Sequence, residues 1–143
     1  MAPRPGLLLD AGPLIAWLDD GDRHAEDVAA WLRAQERAPA FGRWYVLDHV
    51  LDEVATFLHR TRGLRAQEAF LAMAEDPRNF AVVQVEPLAV VARLRRLPPA
   101  RRTTDLTFTD AALAECGVQL GLRHVLSFDR ALGGLGLEVV VPR

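Results

Sequence analysis

Four carboxylates have the type and placement to build a reactive site: Asp10, Glu53, Asp110 and Asp129. Asp10 closes the apolar run GLLLD, Glu53 lies in VLDEV, Asp110 in FTDAAL and Asp129 in VLSFD. Carboxylates crowded into one pocket repel: two unit charges 4 Å apart cost about 4 kcal/mol at an effective dielectric of 20. Such a cluster persists only if it is protonated or holds a cation. Oxygen ligands without nitrogen or sulfur select Mg²⁺ or Mn²⁺. A metal held in this way turns bound water into a nucleophile and neutralises charge that builds during reaction. Each acid also has a purely local reading. Asp10 can cap the helix after it. Asp110 follows Thr107 by three residues, the T-x-x-D spacing of a capping box. Asp129 can start a turn, and Glu53 can be a solvated helix residue. Asp19, Asp20, Asp22, Asp52 and Asp105 show how common acids are in this chain. The four together carry more than any one of them.

The elements that must position these acids follow from the apolar pattern. Gly6–Asp10 reads as a strand, Pro13–Leu18 as a short helix and His24–Arg37 as a longer one. Phe41–Leu47 is a weak second strand. Asp48 precedes a helix to about Thr61, in which Val50, Val54, Phe57 and Thr61 follow the helical period. Glu53 then lies about 70° from the centre of that stripe, at the edge of the buried face. Leu64–Ala74 is a further helix, ended near Pro77. Phe80–Val85 reads as a fully buried strand, and Pro87 opens a helix to about Leu97. Pro98–Thr104 is a loop, Thr107–Leu120 a helix, His124–Ser127 a strand and Leu137–Val141 the last strand. Short apolar strands alternating with helices specify an α/β fold with a parallel sheet of about five strands and helices on both faces. In such sheets ligands sit beyond the carboxyl ends of the strands. Asp10 and Asp129 fall there directly.

Composition sets the outer limits. The chain has 143 residues, half of them hydrophobic and a quarter charged, which fits one domain spanning 1–143 with a real core. No apolar run approaches the ~18 residues that cross a bilayer. The opening MAPRPGLLLD lacks the pattern of a signal peptide. Cys116 is the only cysteine, which excludes an internal disulfide and a zinc site built on several thiolates. The expected compartment is a reducing cytoplasm, without membrane attachment. All 17 cations are arginine and the net charge is −2, so nothing global points to nucleic acid.

The segments LLLDAGPLIAWLDDGDRHAEDVAAWL, VLDHVLDEVATFL and LTFTDAALAECGVQLGLRHVLSFDRAL resemble a PIN-domain nuclease, and in particular the VapC toxins of prokaryotic toxin–antitoxin pairs. The resemblance runs from Leu7 to Leu132. Its most specific part is the T-D-A helix followed, nineteen residues after Asp110, by the aspartate of S-F-D-R. It implies a PIN-like three-layer sandwich and an acidic quartet at Asp10, Glu53, Asp110 and Asp129. Asp105 matches a possible fifth acid farther out, and Ser127 the small hydroxyl residue of the family's T-x-D motif. The implied activity is Mg²⁺- or Mn²⁺-dependent hydrolysis of single-stranded or looped RNA, with Asp10 and Asp129 as direct ligands. Asp110 and Glu53 would act through water, hold a second ion or orient the attacking water. The implied partners are the RNA substrate, a small VapB-like antitoxin and a second copy in a homodimer. The absence of lysine departs from the family's usual surface.

With the four acids set aside, the 17 arginines outnumber the remaining acids by two. They cluster as Arg93, Arg95 and Arg96 with Arg101 and Arg102, and as Arg60, Arg62 and Arg65. The first cluster flanks a loop and is a candidate RNA contact; the alternative is a solvated helix face. His24, His49, His59 and His124 have no metal-ligand spacing. Cys116 reads as a small buried residue of an alanine-rich helix. Trp17 and Trp31 read as core, although the resemblance places their helices beside the groove for an antitoxin's C-terminal segment. An aspartyl-phosphate phosphatase also opens with an apolar strand ending in Asp. It needs a second Asp two residues later, where this chain has Gly12. A processing nuclease without antitoxin, and a silent RNA-binding PIN module, are the remaining alternatives.

Overall fold

A computed structural model describes residues 2–143; Met1, in the opening segment and the 1–143 span considered above, lies outside them. Five strands alternate with six helices: β1 (Leu7–Leu9), α1 (Ala11–Leu18), α2 (Ala25–Arg37), β2 (Trp44–Leu47), α3 (Asp48–Arg62), α4 (Leu64–Glu75), β3 (Ala81–Val83), α5 (Pro87–Arg96), α6 (Phe108–Leu120), β4 (His124–Leu126) and β5 (Glu138–Val140). Short 3₁₀ turns at Pro99–Arg101 and Arg130–Leu135 fill two of the connections.

All four strand pairings are parallel and the order is β3-β2-β1-β4-β5. The chain winds one way from β1 through β2 to β3, then crosses back to add β4 and β5 on the other side. The reversal makes the carboxyl ends of β1 and β4 a switch point, where a crevice opens. Successive residues of a strand point to opposite faces. Leu7, Leu8 and Leu9 are nonetheless all at most 1% exposed, so helices cover both faces of the sheet. The core gathers these leucines with Val46, Leu47, Val125 and Leu126 from the sheet, and with Leu14, Val50, Val54, Leu58 and Leu113 from the helices.

Two expectations are corrected. The Phe80–Val85 strand is not fully buried: only Ala81–Val83 pair, and they form an edge strand with Val82 42% exposed. Its single neighbour is β2, while Phe80 and Val85 carry the burial on either side. In α3 the buried stripe is Val50, Val54 and Leu58 rather than a line through Phe57 and Thr61, both of which are exposed. A helix packed on a sheet buries a narrow row at a spacing of four, so Phe57 falls outside it.

Packing also dictates one glycine. A Cβ at Gly117 of α6 would lie 2.7 Å from the carbonyl oxygen of Leu122, which receives the chain as it turns into β4. No side chain fits there without moving backbone.

Candidate active site

Asp10 leaves β1 in extended conformation and begins α1. Its Oδ1 accepts the N–H of Ala11 at 2.8 Å, so the expected capping role is real. Its Oδ2 accepts the hydroxyl of Ser127 at 2.6 Å. Ser127, just past β4, is fully buried and is the only buried polar residue among the described residues. Its Oγ in turn accepts the N–H of Asp129 at 3.0 Å. One hydroxyl therefore ties the ends of β1 and β4 together and sets Asp10 against the segment that carries Asp129. A hydrogen bond between residues 117 positions apart in sequence exists only because the two strands are neighbours.

Between Ser127 and Asp129, the ring of Phe128 stacks on His24 with centroids 3.9 Å apart. The other side of Phe128 approaches α1, where a Cβ on Gly12 would come within 3.2 Å of it. The ring anchors the turn that presents Asp129. Neither Phe128 nor His24 stood out in the sequence; the glycine two residues after Asp10 was its one trace.

Asp129 is exposed, and its Oδ1 accepts the N–H of Ala131 at 3.0 Å. Asp110 lies half-buried in the first turn of α6 and completes the capping box. Its Oδ2 accepts the N–H of Thr107 and its own N–H donates to Thr107 Oγ1, both at 3.0 Å. The box leaves Asp110 Oδ1 without a partner among the described residues, as the Ala131 contact leaves Asp129 Oδ2. Capping and a place at the crevice are compatible, because each role uses a different oxygen.

The electrostatics join the four acids. Burial pushes the Asp10 carboxyl up; the bonds from Ser127 and Ala11 pull it down, and the charges of Asp110 and Asp129 push it up again. The Glu53 carboxyl is raised by partial burial and then by the charges of Asp10, Asp110 and Asp52. Glu53 is exposed at the rim, so its helix edge faces the crevice rather than the core. A shallow depression of about 540 Å³ beside it is lined by Asp48, His49, Asp52, Thr107 and Thr109. Asp48 and Asp52 add acidic side chains along the same side of α3, although the sequence marked Asp48 only as the residue before this helix and Asp52 only as one of many acids.

Among the described residues no three His, Cys, Asp or Glu side chains stand in a ready metal cage. Asp110 and Asp129 line one cleft and Glu53 a separate depression, while the charges of Asp110 and Asp129 reach Asp10 and those of Asp10 and Asp110 reach Glu53. Their chemistry still fits a divalent ion: every donor is a carboxylate oxygen, and the repulsion raising Asp10 and Glu53 is what such an ion relieves.

The remaining expected residues separate. Asp105 is exposed on the wall of a cleft of about 570 Å³ that Asp110, Asp129 and Arg101 also line. Arg95, Arg96, Arg101 and Arg102 are exposed and make no ion pair among the described residues. Arg93 differs. Its Nε bonds Glu115 Oε2 at 2.9 Å, with the two side chains only 19% and 13% exposed, so it joins α5 to α6. Arg62 pairs with Asp19 at 3.0 Å. Cys116 is buried and its thiol is pushed up to about 11, chiefly by that burial, which makes it inert at neutral pH. Trp31 is core, whereas Trp17 is half-buried with its ring edge-on to Trp44 at 6.0 Å. Among the described residues no helix is long and apolar enough to cross a membrane.

Known structures share this fold. VapC20 from Mycobacterium tuberculosis, a sarcin–ricin loop cleaving toxin, superposes with a TM-score of 0.80 at 22% identity, covering 95% of this chain and 99% of that one. FitAcB from Neisseria gonorrhoeae gives 0.66 at 19% identity, over 93% and 95% of the two chains. PAE2754 from Pyrobaculum aerophilum gives 0.57 at 20% identity, over 95% and 90%. No curated protein matches the chain in sequence. At these identities the solved structures establish the fold. The PIN-domain family itself matches residues 7–135, nearly the whole chain, and the protein belongs to that family.

Proposed function

We propose that the chain is a divalent-metal-dependent ribonuclease and the toxin of a VapBC-type toxin–antitoxin pair. The observation that supports this reading best is that Asp10, at the switch point of a parallel sheet, and Glu53 are both raised, first by burial and then by charges that include Asp110. Family membership and the likeness to VapC20 and FitAcB support it.

Asp10 and Asp129 would hold Mg²⁺ or Mn²⁺, with Asp110 Oδ1 and Glu53 completing the set through water or around a second ion. The ion, when bound, supplies charge neutralisation at the phosphodiester and acidifies water. Ser127 holds Asp10 in one orientation, so the site is preorganised before substrate arrives. Glu53, exposed and raised, would orient the attacking water and take its proton at a carboxylate oxygen. Asp105 stands farther out on the cleft wall. Arg95, Arg96, Arg101 and Arg102 supply cations for contact with the RNA.

A small VapB-like antitoxin would silence the site by inserting an arginine, whose planar fork pairs with two carboxylates. The chain would act in the cytoplasm as a homodimer. The test is cleavage of structured and unstructured RNA with Mg²⁺, Mn²⁺ or EDTA. Cutting with either ion, lost in EDTA and in Asp10→Asn, supports the reading; equal cutting in EDTA, or none under any condition, refutes it. Expression of the wild-type chain alone should arrest the host, and co-expression with the product of an adjacent small gene should relieve the arrest. A harmless wild-type chain would remove the toxin role.

A further inference from the structure

Beside the acids, the segment joining α5 to α6 roofs the cleft of about 570 Å³. Its walls include Leu97, Leu106 and Leu135, each only half-buried, and Leu135 also packs against the core, so part of the apolar surface of all three faces the cleft. Arg101 stands on the same wall with no ion-pair partner among the described residues, and Asp110 and Asp129 border the cleft. Apolar side chains, Arg101, and the polar Thr103 and Asp105 at the wall, with a size within the usual range of ligand sites, describe a receptor for a flat group with apolar faces and an edge that carries both acceptors and donors.

We propose that this cleft receives an unpaired nucleobase of the RNA, from the nucleotide whose phosphate lies at the acids, and that Arg101 reads the base edge. This rests on the nuclease reading above and deepens it, because it names what selects the cleavage position. A base in a duplex has its faces stacked and its edge paired, so only loops and single strands can enter. Arginine is a donor only, with a fork that matches two acceptors side by side, and guanine presents such a pair at O6 and N7. The cleft therefore favours guanine over adenine, whose corresponding edge carries a donor.

The test uses short single-stranded RNAs with one guanine, or adenine in its place, cut in Mg²⁺ and bound to the uncleaving Asp10→Asn variant. Two substitutions fill the cleft: Ala100→Trp, on an exposed turn, and Gly134→Met, where an added Cβ meets nothing within 4 Å. Arg101→Ala removes the reader. Filling should raise KM, and Kd in the Asp10→Asn background, by about tenfold or more while kcat changes by less than about threefold. Arg101→Ala should reduce the guanine preference by about ten- to a hundredfold. Wild-type KM, Kd and base preference in both fillers and in Arg101→Ala overturn the proposal while leaving the nuclease intact. So does loss of a protein partner with RNA kinetics unchanged, which gives the cleft to a peptide. A wild-type chain that neither binds nor cuts any of these RNAs removes the nuclease reading as well.

Discussion

Replacing Asp10 by asparagine separates a functional carboxylate from a structural one, and the two roles predict opposite signs. Asparagine caps a helix as well as aspartate does, so α1 keeps its start. The amide has only one acceptor oxygen, however, and cannot accept from both Ala11 N–H and Ser127 Oγ–H as the carboxylate does. Losing one of those bonds costs about 1–1.5 kcal/mol. Against it stands the charge. Asp110 and Asp129 both repel Asp10, and each like charge in a wet crevice contributes about 1 kcal/mol. Burial of the ionised carboxyl adds a penalty of similar size. The balance favours the variant by about 1–2 kcal/mol in the metal-free protein. A chain of 143 residues melts with an entropy that converts this to about 3–7 °C. Mg²⁺ at ten times its Kd should stabilise the wild type by about 1.4 kcal/mol and the variant by much less. Ser127→Ala must move the other way, by about 2 kcal/mol, since it strips a bond from Asp10 and leaves the Asp129 N–H unpaired. Calorimetry or melting curves with and without Mg²⁺ decide it. A lowered Tm for Asp10→Asn, with no metal response in the wild type, would make the paired hydrogen bonds of Asp10 its main role and dissolve the proposed centre.

The pH dependence has a definite sign. Because Asp10 and Glu53 are raised above their ordinary 3.8 and 4.5, the folded chain holds protons that the unfolded chain has lost, and metal-free stability falls as pH rises through that window. The metal-free Tm should therefore climb as pH is lowered from neutrality toward the ordinary carboxylate range, less steeply in Asp10→Asn, and Mg²⁺ should help most at the higher pH. Arg93→Ala should cost about 2–3 kcal/mol by denaturant titration, because Glu115 is left nearly buried without its partner, while RNA affinity stays at the wild-type value. Gly117→Ala should cost about 1–3 kcal/mol, since its Cβ meets the Leu122 carbonyl, and a wild-type midpoint would show that this turn yields.

Local chemistry was legible in the chain because local rules act over a few residues. The alternation of apolar runs with 3.6-residue stripes specified the α/β class, and T-x-x-D specified the capping box of α6. Asp10 could be assigned a cap from its position alone. The motif spacing also carried the family, since its residues recur in fixed order along the sequence. Other features depend on which elements become neighbours, and tertiary structure decided those. β3 became an edge strand because it pairs with β2 alone, which no pattern within Phe80–Val85 encodes. Arg93 and Glu115 are 22 positions apart, and only the packing of α5 on α6 turns a candidate RNA contact into an interior ion pair. Phe128 meets His24 and Gly12 across the start of α1. The raised carboxyls of Asp10 and Glu53 arise first from burial, and then from charges that the fold brings up: Asp110 and Asp129 for Asp10, and Asp10, Asp110 and Asp52 for Glu53. A residue's type is carried by the sequence, but its burial and its field are summed over every element around it, so the chain named the acids while the fold set how buried and how charged the surroundings of each are.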